Sequence, residues 1–89
     1  MRTTYYSKQF NRDVKLQKKR GKDLEKLKTL LRYLIEEKSL PEKNKDHALS
    51  GNFANYRECH IEPDWLLIYK LEDGILCFVR TGTHADLFD

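Results

Sequence analysis

The strongest constraint on the fold is a single stripe of leucine residues in the first half of the chain. Between Leu24 and Ile35, apolar residues recur at positions i, i+3, i+6, i+7, i+10 and i+11. A period of 3.6 residues predicts an amphipathic helix that buries one face. Asp23 immediately precedes the stripe and is a suitable N-cap for this helix. The leucines are therefore expected in a core, and no leucine zipper is needed to explain them.

The sequence before this helix predicts one strand and one further helix. Residues 2–6 are mostly β-branched or aromatic, which is typical of a short strand. Ser7 is a suitable N-cap, Phe10 and Val14 follow at helical spacing, and Gly21 is a plausible helix end. The first quarter of the chain is therefore expected to form a strand followed by a helix.

The second half of the chain predicts β structure. Residues 38–51 indicate a loop, and the pattern changes to strand-like sequence from about residue 53. The strand-like runs are Tyr56–Ile61, Trp65–Leu71 and Ile75–Thr81. The order β-α-α-β-β-β predicts a two-layer α+β fold, with two N-terminal helices on one face of a mainly antiparallel four-stranded sheet. With 89 residues, the chain is expected to form one domain over 1–89.

Two short turns determine which strand residues are predicted to share a face. With two-residue turns at Pro63-Asp64 and Asp73-Gly74, the register pairs Tyr69 with Phe78, Leu67 with Arg80, His60 with Leu67 and Glu58 with Tyr69. Glu58, His60 and Arg80 then share one face with aromatic residues. The opposite face, which the helices should cover, receives Cys59, Ile61, Leu66, Ile68, Cys77 and Val79. A three-residue loop at Pro63 would move Glu58 and His60 to that helix-covered face.

The charge of the chain is concentrated near its start. Residues 1–28 hold ten Lys or Arg against three Asp or Glu, whereas residues 29–89 hold seven against eleven. The densest basic cluster consists of Lys15, Lys18, Lys19, Arg20 and Lys22. Clustered basic residues are typical of nucleic-acid binding. Charge alone does not separate this function from a solvated helix face or from a docking surface for an acidic protein.

Other features exclude several classes of protein. No run of 18 apolar residues indicates a membrane span, and the N-terminus lacks an apolar signal segment. The two cysteines, Cys59 and Cys77, are expected as small core residues of a reduced, cytoplasmic protein. The sequence contains no phosphate-binding glycine loop, HExxH or CxxC, which argues against an NTPase, a zincin and a zinc finger.

Three histidines with nearby acids suggest proton-transfer chemistry. His47 follows Asp46, His60 lies between Glu58 and Asp64, and His84 follows the last predicted strand. Imidazole titrates near neutral pH, so such groups around one pocket would do acid–base chemistry without a metal or cofactor. The same residues are also candidate zinc ligands, although their spacing is not diagnostic of a metal site.

Three motifs carry a resemblance to a known family. They are DHxLxG at 46–51, YRxxHxxPDxLxxY at 56–69 and RxGxHxxLF at 80–88. Together with a Lys-rich first helix and a Leu-rich second, they make the whole chain resemble the YafQ-type toxins of the RelE/ParE superfamily. The predicted element order agrees with the fold of that family.

The resemblance implies a type II toxin that enters the ribosomal A site, cuts mRNA there and needs no cofactor. A tightly bound cognate antitoxin silences such toxins, in a complex expected to be a heterotetramer or larger. The implied catalytic set is His47, Glu58, His60, Asp64, His84 and Phe88, with Glu58 at a position that is often Asp in the family. Arg80 takes the place of a phosphate-contacting arginine, and the basic cluster of residues 15–22 would hold ribosomal RNA.

These residues also support a hypothesis for cleavage through attack of the RNA 2′-OH. His60, polarised by Asp64 or Glu58, would be the base, with His47 able to substitute for it. His84 would be the acid, although the two roles are interchangeable on the sequence. Arg80 would neutralise the phosphorane, and Phe88 would stack on a base. The alternatives are a non-catalytic ParE-like gyrase inhibitor, a plain RNA-binding module and a metal-dependent hydrolase.

Overall fold

The computed structural model describes residues 1–51 and 55–88. The elements in chain order are β1 (Thr3–Tyr6), α1 (Lys8–Lys19), α2 (Leu24–Ile35), a 3-10 turn (Glu42–Asn44), β2 (His47–Ala48), β3 (Arg57–Glu62), β4 (Trp65–Glu72), β5 (Ile75–Gly82) and α3 (His84–Phe88). The predicted α+β class is confirmed. The predicted start of β structure near residue 53 lies outside the described residues.

The sheet has the strand order β1-β5-β4-β3-β2. Strand β1 pairs in parallel with β5, and the other neighbours are antiparallel. The described sheet therefore has one strand more than the four predicted, because β2 forms within the segment that was expected to be a loop. The short helix α3 was not predicted either. None of the described helices has the length and apolar character needed to cross a membrane.

Both long helices begin where their caps predict. The Ser7 hydroxyl accepts a hydrogen bond from the N–H of Phe10 at 2.9 Å, and the Asp23 carboxylate accepts one from the N–H of Glu25 at 3.0 Å. Helix α1 ends just before Gly21, whose φ of +83° suits a residue without Cβ. The leucine stripe of α2 packs into the core, and its most deeply buried members are Leu27, Leu30 and Leu34.

The predicted register is wrong in two places, although both predicted turns are right. Glu62 pairs with Trp65 and Glu72 with Ile75, so each turn has two residues. Ile61 and Val79, however, each form a β-bulge, and an extra residue in one strand shifts every later pair by one. Of the four predicted pairs, Tyr69 with Phe78 is confirmed. The other three are replaced by Leu67 with Thr81, His60 with Leu66 and Glu58 with Ile68.

The shift in register exchanges the apolar residues between the two faces of the sheet. The helices cover a cluster that includes Cys59, Trp65, Leu67, Tyr69, Leu76 and Phe78, so Leu67, Tyr69 and Phe78 are not on the face of Glu58 and His60 as predicted. Leu66 and Ile68, which were predicted under the helices, instead pair with His60 and Glu58. Directly paired residues project to the same side, so these two buried side chains form an apolar floor beneath the acid and the imidazole.

Candidate active site

His47 is held at the edge of the sheet by its own loop. It lies in β2, directly opposite Glu58 of β3. Lys45 adopts a φ of 48°, and its carbonyl oxygen lies 2.6 Å from Nδ1 of His47. Because a carbonyl oxygen only accepts, Nδ1 of His47 carries the proton. Its Nε2 is then directed at Oε1 of Glu58, 3.5 Å away.

His60 approaches the same carboxylate from the neighbouring position. Its Nδ1 lies 3.3 Å from the carbonyl oxygen of Pro63, so this ring also carries a proton on Nδ1. Its Nε2 is 3.5 Å from Oε1 of Glu58. The Glu58 side chain is only 8% exposed. One nearly buried carboxylate oxygen therefore faces two imidazole Nε2 atoms and can stabilise an imidazolium on either ring.

His84 has a separate acidic partner. It is the first residue of α3, and its Nδ1 lies 2.6 Å from Oδ1 of Asp64 in the β3–β4 turn. The backbone N–H of His84 donates to the same oxygen at 2.9 Å. This backbone bond, followed by the bond from the ring, holds the pKa of Asp64 below its usual value. Asp64 thus anchors His84, whereas the sequence had suggested it as a partner of His60.

The four rings of the predicted catalytic set form a line. Their centroids are 6.4 Å apart from His47 to His60, 5.9 Å from His60 to His84 and 6.5 Å from His84 to Phe88. All three imidazoles are anchored through Nδ1, so Nε2 is the atom of each ring at which a proton can be exchanged. The arrangement can therefore accept a proton at one imidazole and donate one from a neighbouring imidazole.

A capping box fixes the start of α3. The Thr83 hydroxyl accepts from the N–H of Asp86 at 3.1 Å, and the Asp86 carboxylate accepts from the N–H of Thr83 at 2.9 Å. Arg20 of α1 donates two hydrogen bonds to Asp86, at 2.6 and 3.1 Å. These bonds, led by that of Arg20, hold the pKa of Asp86 well below its usual range. Helix α1 thus positions α3, and with it His84.

The capping box explains the glycine of the third motif. A Cβ at Gly82 would lie 2.8 Å from Oδ2 and 2.9 Å from Cβ of Asp86. We expect Gly82→Ala to displace Asp86 and to destabilise the protein by about 1–2 kcal/mol, the cost of losing an N-cap. Thermal unfolding measures this loss, and backbone amide exchange should increase first in α3. Ala85→Ser, on the exposed side of α3, is the control; equal melting temperatures for the Gly82 variant and wild type would refute the clash.

Arg80 is engaged by a buried acid. Its Nε and Nη2 donate to Asp13 of α1 at 2.7 and 3.3 Å, and the Asp13 side chain is 7% exposed. Asp13 also accepts from the N–H of Thr81 and from Gln9. In the sheet, Arg80 pairs with Ile68, which pairs with Glu58, so Arg80 lies two strands, about 10 Å, from Glu58. The sequence did not reveal Asp13 as the partner of Arg80.

The structure divides the predicted basic cluster into two groups. Lys15, Lys18 and Lys19 are exposed along α1. Arg20 is bound to Asp86, while Lys22 pairs with Glu62 at 3.0 Å and lies over the ring of Trp65. The first group remains available to a partner, and the second contributes to the fold. Glu62 also binds Lys26, and these two lysines, Lys26 foremost, lower the pKa of the Glu62 carboxyl.

Two polar residues outside the predicted catalytic set, Asn44 and Asp46, support the histidines. Asn44 donates from Nδ2 to the carbonyl oxygen of His60 at 2.7 Å. Asp46 accepts from the hydroxyl of Tyr69 at 2.6 Å and from Arg57 at 3.3 Å, which ties the loop before His47 to β4 and β3. Burial and the bond to Asp46 raise the pKa of Tyr69. Only the adjacency of Asp46 to His47 was visible in the sequence.

In residues 1–51 and 55–88, no three His, Cys, Asp or Glu side chains are placed so that they could hold one metal ion. Cys59 is buried and Cys77 half-buried, so the expectation of a core position holds fully for Cys59 alone. Burial raises the pKa of both thiols.

The chain matches a family of bacterial toxins over almost its whole length. A family model described as "Bacterial toxin of type II toxin-antitoxin system, YafQ" matches residues 2–89. The chain belongs to the YafQ toxin family. The mRNA interferase toxin YafQ of Escherichia coli K12 is 56% identical over 84 residues, which are 93% of this chain and 91% of that protein.

Solved structures of YafQ agree with this membership. The crystal structure of YafQ from E. coli BL21(DE3) has a TM-score of 0.95 and 52% identity, covering 100% of both chains. YafQ in the E. coli DinJ–YafQ toxin–antitoxin complex has a TM-score of 0.93 and 54% identity, covering 99% of this chain and 98% of that chain. The resemblance inferred from the three motifs is therefore confirmed at the level of family and fold.

Proposed function

We propose that this YafQ-family toxin is an endoribonuclease that enters the ribosomal A site and cleaves mRNA there by metal-independent attack of the 2′-OH. Its relative with 56% identity is an mRNA interferase, which supports the substrate class. The observation that carries the chemistry is the line of three imidazoles, each anchored at Nδ1, with the Nε2 atoms of His47 and His60 next to the Glu58 carboxylate. A cognate antitoxin silences the toxin, and its site of action is the cytoplasm, where the ribosomes are.

The reaction needs one group that removes a proton and another that supplies one. His60 takes the proton of the 2′-OH at Nε2, and the carboxylate of Glu58 stabilises the imidazolium that forms. His47 shares Glu58 and can substitute as the base. The 2′-oxygen then bonds to phosphorus, the bond to the 5′-oxygen breaks, and His84 protonates this leaving oxygen. The products are a 2′,3′-cyclic phosphate and a 5′-hydroxyl end.

The remaining members of the set act on charge and geometry. Asp64 holds the His84 ring through Nδ1 and stabilises its protonated form, which suits a general acid. Arg80, oriented by Asp13, balances the charge that develops on the phosphorane. Phe88, 43% exposed at the end of the line of rings, stacks on an unpaired base and fixes the in-line geometry.

Toeprinting of a programmed ribosome tests the function as a whole. Purified protein is added to ribosomes stalled with an open A-site codon, to naked mRNA and to the same ribosomes in EDTA. We expect cleavage within the A-site codon, much weaker cleavage of naked mRNA and no effect of the chelator. If the RNA stays intact on ribosomes that still bind the protein, the protein is an RNA-binding module without nuclease activity. Loss of cleavage in EDTA would identify a metal-dependent hydrolase.

The exposed lysines of α1 are expected to bind ribosomal RNA. Lys18→Glu combined with Lys19→Glu should weaken ribosome binding roughly 10-fold at 0.1 M salt and reduce the slope of log K against log salt by about 2, because two phosphate contacts are lost. Filter binding across a salt series measures both quantities. Lys28→Glu combined with Lys38→Glu changes the net charge equally at another surface and is the control. An unchanged slope would show that Lys18 and Lys19 do not contact ribosomal RNA phosphates.

A further inference from the structure

A cavity of about 580 Å³ opens beside His60, between α2, the 3-10 turn and the β3–β4 turn. It lies within the usual volume range of small-ligand sites. Its lining is partly apolar, with Leu30, Ile61 and the ring of Tyr33. None of the catalytic roles described above uses this cavity, apart from the imidazole of His60 at its edge.

The rim of the cavity is basic. Lys43 and Lys45 line it, and neither forms a salt bridge within the described part of the chain. Lys26 also lines it, and the one carboxylate among the lining residues, Glu62, already binds Lys26. The rim therefore carries a net positive charge that attracts a phosphate-bearing ligand.

Asn44 is a buried polar residue in the lining of the cavity. Asn44 is 6% exposed, and its Nδ2 is used by the carbonyl oxygen of His60, but its Oδ1 accepts no hydrogen bond from the described residues. This oxygen is also shielded from solvent, so a ligand in the cavity does not reach it. Asn44 instead serves to hold the backbone of β3, through His60, in the wall of the cavity.

We propose that this cavity binds one nucleotide of the RNA strand next to the scissile phosphate, with its base against Tyr33 and its phosphate at Lys43 and Lys45. The proposal rests on the proposed function, since it deepens the account of how that substrate is held. The cavity is continuous with the catalytic line in two ways. His60 lines it, and the carbonyl group of Lys45 anchors His47. A strand cleaved at His60 therefore has its neighbouring nucleotide at the mouth of the cavity.

The test combines a cavity-filling variant with abasic RNA. Thr29 lines the cavity from the exposed side of α2, so Thr29→Trp should fill it. Programmed ribosomes are supplied with mRNAs that lack one base at a time on either side of the cleavage site, and kcat and KM are measured for each. For wild type, we expect one flanking abasic position to lower kcat/KM roughly 10- to 100-fold, the range for loss of one base–aromatic stack.

The filled variant should lose activity on intact mRNA by a similar factor and show no further loss with the abasic mRNA. If Thr29→Trp does not fold, Lys43→Glu takes its place. We expect Lys43→Glu to raise KM while kcat changes little. Lys28→Glu, on the same helix but outside the cavity, should keep the wild-type sensitivity to the abasic position. The melting temperature of each variant shows that it is folded.

The outcomes separate this proposal from the function on which it rests. Equal abasic sensitivity in wild type and Thr29→Trp overturns the subsite and leaves mRNA cleavage intact. Normal cleavage by Thr29→Trp with weakened binding of the antitoxin assigns the cavity to the antitoxin and also overturns the proposal. Absence of cleavage by wild type rejects both the function and the subsite.

Discussion

His84→Ala is expected to lower the single-turnover rate of mRNA cleavage on programmed ribosomes by roughly 10²–10⁴-fold, the contribution of one general acid. The His84 ring is 54% exposed and its partner Asp64 is 65% exposed, so removing the imidazole leaves no buried group unpaired. The melting temperature should therefore change little. Quenched-flow or hand-mixed cleavage with excess toxin measures the rate of the chemical step directly.

Asp64→Asn is the matched variant for His84→Ala. The amide oxygen can still accept from Nδ1–H and from the backbone N–H of His84, but it no longer stabilises a protonated ring. We expect a loss intermediate between wild type and His84→Ala, with binding to the ribosome unchanged. If His84→Ala cleaves within twofold of the wild-type rate, His84 is not the acid and the scheme fails.

The local elements of the fold were predictable because their signals are local. The stripe that buries Leu27, Leu30 and Leu34 is a 3.6-residue period in the sequence, and the caps at Ser7 and Asp23 act over two or three residues. The turn at Asp73-Gly74 likewise has its own signature, since both residues take positive φ.

The bulges at Ile61 and Val79 have no such signature. Each depends on how the strand meets its partner across the sheet, and neither residue type differs from those expected in a regular strand. Without these bulges, the predicted register placed Tyr69 on the face of Glu58 and Ile68 on the face covered by the helices. The structure has each of them on the opposite face. The hydrophobic pattern alone does not resolve this, because residues on both faces of β4 are buried.

The sequence indicated candidates for the site but not the partners that hold them. Histidines stand out in a sequence, and the motifs fixed which residues to consider. The pairing of Asp64 with His84, 20 residues away, instead follows from the position of α3, which depends on Asp86 and Arg20. The acid that holds Arg80 is Asp13 of α1, 67 residues away in sequence. Partners of this kind are determined by tertiary packing.

Arg80→Ala is expected to destabilise the protein by about 3 kcal/mol, the lower end of the range for breaking a buried ion pair. The lower end applies because the Arg80 side chain is 32% exposed, whereas that of Asp13 is 7% exposed. The loss arises from the uncompensated carboxylate in the protein interior. Urea unfolding of wild type and variant measures it, and a change of less than about 0.5 kcal/mol would show that Asp13 does not depend on Arg80.

The double variant Arg80→Ala with Asp13→Asn separates stability from catalysis. Asparagine keeps an oxygen that accepts from the N–H of Thr81 but carries no charge, so it should recover part of the lost stability. If the double variant recovers stability but cleaves at least 10-fold more slowly than wild type, Arg80 acts on the phosphate. If cleavage returns to the wild-type rate, Arg80 serves only to neutralise Asp13. Both roles use the same bond to Asp13, and the rate of this double variant decides between them.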